Sequence, residues 1–184
     1  MIRHLLMNVI KKTGFYSRIE SGFLFLFEAQ LGKLYQQIGE TIYDLIPEEW
    51  KKLYLYAEVS EGLSYVYFYY YPEDNACPVY YLDIPERFYI DRREYKLKSL
   101  KLFHQFEELW KTFKEHDQEP WTNLTLFMDS SGKFKIDYDY EDLSDASPLH
   151  RRIIWKYRYL GMIPEEQEDR KFLEKYLKKD KEEK

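Results

Sequence analysis

Between Asn123 and Tyr140 the chain alternates with a period of two on both sides of one connection, Asp129-Ser130-Ser131-Gly132. Leu124, Leu126 and Met128 interleave with Asn123, Thr125 and Phe127 before it. Phe134, Ile136, Tyr138 and Tyr140 interleave with Lys133, Lys135, Asp137 and Asp139 after it. Such alternation around a glycine-bearing connection specifies two antiparallel strands, one face buried and one facing water. The polar face then runs into Glu141, Asp142 and Asp145, so that five acids follow one another from Asp137 with no base among them. A surface of that kind suits a positively charged partner.

The same reading places the other elements. Leu34, Ile38, Ile42 and Leu45 recur at helical spacing, which predicts a helix from about Leu31 that Pro47 closes. From Trp50, Leu53, Leu55, Ala57 and Val59 alternate with Tyr54, Tyr56 and Glu58, and Glu61-Gly62 turns the chain. A second strand follows over Ser64–Tyr71. A short third one over Val79–Leu82 is assigned to an edge by Pro78 and Pro85, because proline donates nothing to a ladder. Asp91, with Glu94 three residues on, reads as a helix start. The stripe Leu102, Phe106, Leu109 and Phe113 carries that long helix to about His116.

After the hairpin, Ser147-Pro148 predicts a serine-capped helix with Ile153, Tyr157 and Leu160 inward, ended by Gly161. A last helix begins near Pro164. Strands in antiparallel runs, without repeated strand–helix–strand units, indicate an α+β fold. The expected architecture is a single antiparallel sheet of about five strands, with a long helix packed across it and C-terminal helices. Residues 1–32 lack clean periodicity and read as an N-terminal appendage, residues 33–163 as the α+β domain, and residues 164–184 as a charged helix and tail.

Charge and composition exclude several functions. Residues 1–33 hold five bases against Glu20 and Glu28, a net of +3, which leaves −8 for the rest of a chain whose total is −5. An acidic body argues against nucleic-acid binding, since phosphate contacts need concentrated positive charge. The apolar run Phe23–Phe27 is far too short to span a bilayer. The single cysteine, Cys77, forms no internal disulfide, and no Cys/His cluster has zinc-ligand spacing, which suits a reducing, cytoplasmic compartment. Aromatics reach 19% of the residues, with 19 tyrosines, and tyrosine suits strand faces half buried and half turned to a partner. Tyrosine-rich edge strands also leave room for a homo-oligomer.

Little in the sequence resembles catalytic machinery. His4, His104, His116 and His150 are scattered, Cys77 has no activating neighbour, and seven glycines form no phosphate loop. Tyr65, Tyr67 and Tyr69, with Tyr54 and Tyr56, lack the interleaved bases of a nucleic-acid stacking platform and read as core and interface residues. One constellation has a chemical alternative. Asp137, Asp139 and Glu141 project from one strand face at about 6.5–7 Å spacing, and paired acids can hold a divalent ion in a metal-dependent hydrolase. A solvated strand face produces the same letters.

Several segments carry a family resemblance: IYDLIPEEWKKLYLYAEV (42–59), VYFYY (66–70), EPWTNLTL (119–126), GKFKIDYDYEDL (132–143) and HRRIIWKYRYLG (150–161). In order and spacing they resemble the YezG-type immunity proteins of Gram-positive bacteria, over about Leu34–Gly161. The resemblance implies an antitoxin with no enzymatic activity and no cofactor. Its partner would be a cognate LXG-type polymorphic toxin with a nuclease-like C-terminal domain. The family supplies no catalytic residues. Its pattern positions Trp50, Trp121, Asn123, Asp137, Tyr138 and Trp155 are present, the tryptophans expected to be mainly structural. Partner binding is assigned to Asp137, Asp139, Glu141, Asp142 and Asp145, with a merely solvated acidic segment as the alternative.

Overall fold

The computed structural model describes residues 21–144 and 147–182, so residues 1–20 of the expected appendage over residues 1–32 lie outside the described residues. The chain divides into two compact units, the first ending at Glu141 and the second beginning at Asp142.

In the first unit, helix α1 (Ser21–Leu45) precedes strands β1 (Trp50–Ser60), β2 (Leu63–Pro72) and β3 (Val79–Tyr80). A 3-10 turn over Tyr81–Asp83 and the short helix α2 (Ile84–Arg87) lead into the long helix α3 (Arg92–Glu115). Strands β4 (Asn123–Asp129) and β5 (Phe134–Asp139) follow. The five strands form one antiparallel sheet in the order β3-β2-β1-β4-β5, so the proline-flanked third strand is at an edge, as its sequence requires.

Register aligns the apolar sets across the whole sheet. Phe68, Leu55, Leu126 and Ile136 lie in one row, with Tyr70, Leu53, Met128 and Phe134 in the next. All but Phe134 of these are buried. The opposite face carries Tyr65, Tyr67, Tyr69 and Tyr71 on β2, beside Tyr54, Tyr56 and Glu58 on β1. Of the supposed tyrosine platform, Tyr67 and Tyr69 are buried, which fits the core reading.

Helix α3 starts as the sequence demands, with the Asp91 carboxylate accepting from the backbone N–H of Arg93 and Glu94 at 3.0 and 2.9 Å. It packs against β1, β2 and α1. Here the expectation of one helix across the sheet needs enlarging. Helix α1 is already formed at Ser21, well before Leu31, and both Phe27 and Leu31 are fully buried. The Phe27 ring meets Phe113 of α3 edge-on at 5.4 Å, and Gln30 donates to the Thr112 hydroxyl at 3.2 Å. A near-continuous apolar run hides a helical stripe from periodicity, and only the partner helix reveals it.

The connection between α2 and α3 holds a conformational cost. Tyr89 has φ +53° and is 97% exposed. It follows the end of α2 in the left-handed position that glycine usually fills, with the Ile90 N–H bonded to the Pro85 carbonyl at 3.0 Å. Since the ring packs on nothing, Tyr89→Gly is expected to stabilise the fold by about 0.5–1 kcal/mol, less the extra entropy glycine gives the unfolded chain. A higher urea midpoint checks this. A lower one would show that the side chain is held.

In the second unit, helices α4 (Pro148–Leu160) and α5 (Gln167–Glu182) pack together. Pro148 opens α4, but the Ser147 hydroxyl makes no capping bond, so the expected serine cap is absent. Gly161 ends α4 at φ +67°, and its N–H reaches the Tyr157 carbonyl at 3.1 Å. Trp155 is buried alongside Ile153, a position the inward stripe read from sequence omitted. The last helix starts three residues after the expected Pro164. No helix among the described residues is long and apolar enough to cross a membrane.

Candidate functional site

The acidic segment begins on an edge strand, and its position follows from the hairpin. Gly132 adopts φ +78°, which lets Asp129 and Lys133 close the turn: the Asp129 N–H bonds the Lys133 carbonyl at 2.9 Å. The Asp129 carboxylate accepts from the Ser131 hydroxyl at 2.6 Å and from the N–H groups of Ser131 and Lys133. These bonds, the serine hydroxyl first, hold Asp129 below the usual carboxylate range. The hairpin tip is also clasped from outside. The Tyr43 hydroxyl of α1 donates to the Ser130 carbonyl at 2.6 Å, and the Ser130 N–H bonds the Lys51 carbonyl of β1 at 3.2 Å.

Beneath β5 the buried face is aromatic. Tyr35 of α1 packs edge-on against Phe134, and its hydroxyl shares a 2.8 Å hydrogen bond with that of Tyr138. Burial pushes the Tyr35 hydroxyl up to about 12 and drives Tyr138 up as well. Phe113 and Trp121 also flank the Tyr138 ring, with centroids 5.1 and 5.9 Å away.

On the outer face the five expected acids have different surroundings. Asp137 and Asp139 share that face, opposite Thr125 and Asn123 of β4. Asp137 is an ion-pair partner of Lys135 on the same face, at 2.8 Å. Asp139 turns the chain: its carboxylate accepts from the Glu141 N–H at 3.0 Å, while its carbonyl accepts from Thr122. Glu141 is exposed at the end of the first unit. Asp142 opens the second unit, where its carboxylate accepts from the Ser144 N–H at 2.9 Å, a bond that lowers its pKa. Asp145 lies outside the described residues. The structure therefore joins Asp137 and Asp139 on one strand face, with Glu141 just beyond.

A metal site needs converging donors. The acids of β5 project side by side, Asp137 is engaged by Lys135, and among the described residues no three His, Cys, Asp or Glu side chains group to hold an ion. The described histidines are occupied locally. His104 contacts Glu107 at 3.2 Å, His116 bonds the Thr112 carbonyl at 2.9 Å, and His150 stacks on Phe172. Cys77 is exposed.

One feature of the first unit escaped the sequence. The β1–β2 turn and the last turns of α3 frame a cleft of about 550 Å³, lined by Val59, Leu63, Glu107, Trp110 and Lys114 among others. Lys114 bridges it, paired with Glu61 of the turn while lying 4.7 Å from the centre of the Trp110 ring. The Trp110 indole N–H in turn donates to the Trp121 carbonyl at 3.0 Å. Glu107 accepts from the Ser64 hydroxyl at 2.8 Å, the main reason its carboxyl sits below the usual range. The signal was the pairing of a two-residue turn with a distant helix, which spacing alone does not reveal.

Residues 31–174 match a family described as "Immunity protein YezG-like". The chain belongs to that family. Among YezG-like relatives, "Immunity protein YezG" of Bacillus subtilis (strain 168) is 40% identical over 146 residues, covering 78% of this chain and 97% of its own. The protein of the same name from Bacillus spizizenii (strain ATCC 23059 / NRRL B-14472 / W23) is 40% identical over 151 residues, 81% of this chain and 94% of its own. "Type VII secretion system protein EsaG" of Staphylococcus aureus (strain NCTC 8325 / PS 47) is 34% identical over 157 residues, 83% and 96% of the two chains. The YezG-like match spans the entire sheet and both helices packed on it, except for the first turns of α1.

Proposed function

We propose that this chain is an immunity protein that binds a cognate LXG-type polymorphic toxin in the cytoplasm and neutralises it by occupancy alone. The toxin's C-terminal domain is taken to be a nuclease, and the surface covered to be its basic active site or substrate groove. The observation that carries this reading is coverage: relatives named immunity proteins align along 94–97% of their own length with this chain.

The physics of the β5 edge supports it. A nuclease presents positive charge to phosphates, and acids held on a firm strand face accelerate encounter with such a surface. Buried aromatic contacts then hold the complex. The contacts assigned to the toxin are Asp137, Asp139, Glu141, Asp142 and Asp145.

A candidate LXG-type toxin encoded in a neighbouring reading frame would provide the test. With Asp137, Asp139 and Glu141 all changed to Lys, association is expected to slow by about tenfold or more at low salt, with the gap narrowing as salt rises. Protection of toxin-expressing cells should fall with it. Because Lys135 engages Asp137, Lys135→Glu should move the rate the opposite way. An unchanged rate with full protection would remove this patch from the interface. If the unmodified chain neither bound nor protected, the immunity reading itself would fail.

A further inference from the structure

Helix α3 buries Tyr95, Ser99, Leu102, Phe106, Leu109 and Phe113 on one side, so its opposite side should be polar. It is not uniformly so: Leu97 and Leu100, three residues apart, are 61% and 40% exposed. The surrounding half-helix is basic, with Arg92, Arg93, Lys96, Lys98 and Lys101 against Glu94 alone. Glu94 holds Lys98 and Glu86 holds Arg92. Among the described residues no carboxylate pairs with Arg93, Lys96 or Lys101.

Helical spacing brings these groups together. Arg93 and Lys101 each lie four residues from Leu97, and Lys96 lies four from Leu100. A single exposed leucine is ordinary. Two adjacent ones ringed by three uncompensated cations, on a chain of net charge −5, form a surface with its own sign and shape.

We propose that this stripe is a docking surface for an acidic amphipathic helix of a partner protein. Its apolar residues would seat on Leu97 and Leu100, and its carboxylates would meet Arg93, Lys96 and Lys101. This is helix-against-helix recognition read through neighbouring anchors one turn apart. A lipid surface would need a longer apolar face than one turn supplies. A nucleic-acid backbone would use the cations and leave the leucines against phosphate. The proposal stands apart from the β5 reading, since the two surfaces carry opposite charge.

Two designed peptides test it on the full chain. Both repeat leucine at helical spacing; one fills the remaining positions with glutamate and the other with lysine. Fluorescence anisotropy should show saturable binding of the glutamate peptide, about tenfold tighter than the lysine peptide. Leu97→Ser with Leu100→Ser should abolish it, and Lys96→Glu with Lys101→Glu should invert the preference. These side chains are exposed, and circular dichroism confirms that the variants fold. Absence of saturable binding, equal binding of both peptides, or binding indifferent to these substitutions overturns the proposal. So does binding of anionic vesicles or of a short RNA duplex through the same residues in the peptide's place.

Discussion

Replacing Trp121 by alanine is expected to destabilise the protein by about 3–5 kcal/mol, the range for emptying a site that a large aromatic side chain fills in a core. The indole is 0% exposed, which makes it one of the largest fully buried side chains, and it lies between the end of α3 and the start of β4. Its ring flanks Tyr138, and its carbonyl receives the Trp110 indole N–H. Its own indole N–H is buried without a partner among the described residues. That last point separates two variants. Trp121→Phe loses part of the ring but also removes an unsatisfied donor, which itself costs about 1–3 kcal/mol. Phenylalanine should therefore cost far less than alanine. Denaturant midpoints followed by far-UV circular dichroism measure both. An alanine variant within about 1 kcal/mol of the parent would mean that the neighbouring helix closes the space. Against a typical total of about 5–15 kcal/mol, the alanine loss threatens the folded population itself. Failed protection by this variant would thus report on stability and not on the proposed interface.

The second large effect is alkaline. Burial pushes the Tyr35 hydroxyl up to about 12, outweighing the hydrogen bond with Tyr138, and Tyr140 is lifted to about 12 by burial and then by the charge of Glu119. Burial also raises Tyr70, helped by the carboxylate of Glu48, and it raises Tyr95 and Tyr138. In the unfolded chain these phenols lose their protons near pH 10, while the folded chain retains them. Above that pH the unfolded state binds fewer protons, so stability falls as pH rises. It is intact below pH 10 and is lost progressively toward pH 12 and beyond. Tyr35 alone removes about 2–3 kcal/mol by pH 12. Denaturant midpoints should therefore be level from neutral pH to about pH 9 and then drop steeply. Tyr95→Phe, whose hydroxyl is buried without a partner among the described residues, should shallow the drop. A flat profile to pH 12 would contradict the burial of these phenols.

The four long strands were legible because they alternate, and the register aligns their apolar sets, except that Tyr140 lies beyond β5. The third strand, expected over Val79–Leu82, is only Val79–Tyr80, because the chain enters a 3-10 turn at Tyr81. The part of α1 before Leu31 was not legible, because its stripe through Phe27 and Leu31 is defined by α3 and not by a polar opposite face. The missing Ser147 cap shows a different limit: a capping residue type indicates a helix start without fixing the rotamer that makes the bond.

For the candidate surface, alternation put Asp137 and Asp139 together on the outer face, where the register also places them. It also put Lys135 there, but counting acids from Asp137 onward left out the cation that pairs with the first of them. The exposed pair Leu97 and Leu100 was written in the sequence as well. A stripe search reads for the core and passes over apolar residues on the far side.

The clasp on the β4–β5 hairpin has a bearing on recognition. Tyr43 and the Lys51 carbonyl fix the turn, and the Tyr35–Tyr138 bond fixes the strand behind it. A partner arriving at this edge meets a backbone whose freedom was surrendered when the protein folded. Little ordering entropy remains to oppose the complex, and a modest contact area there can hold more tightly than the same residues on a loose loop.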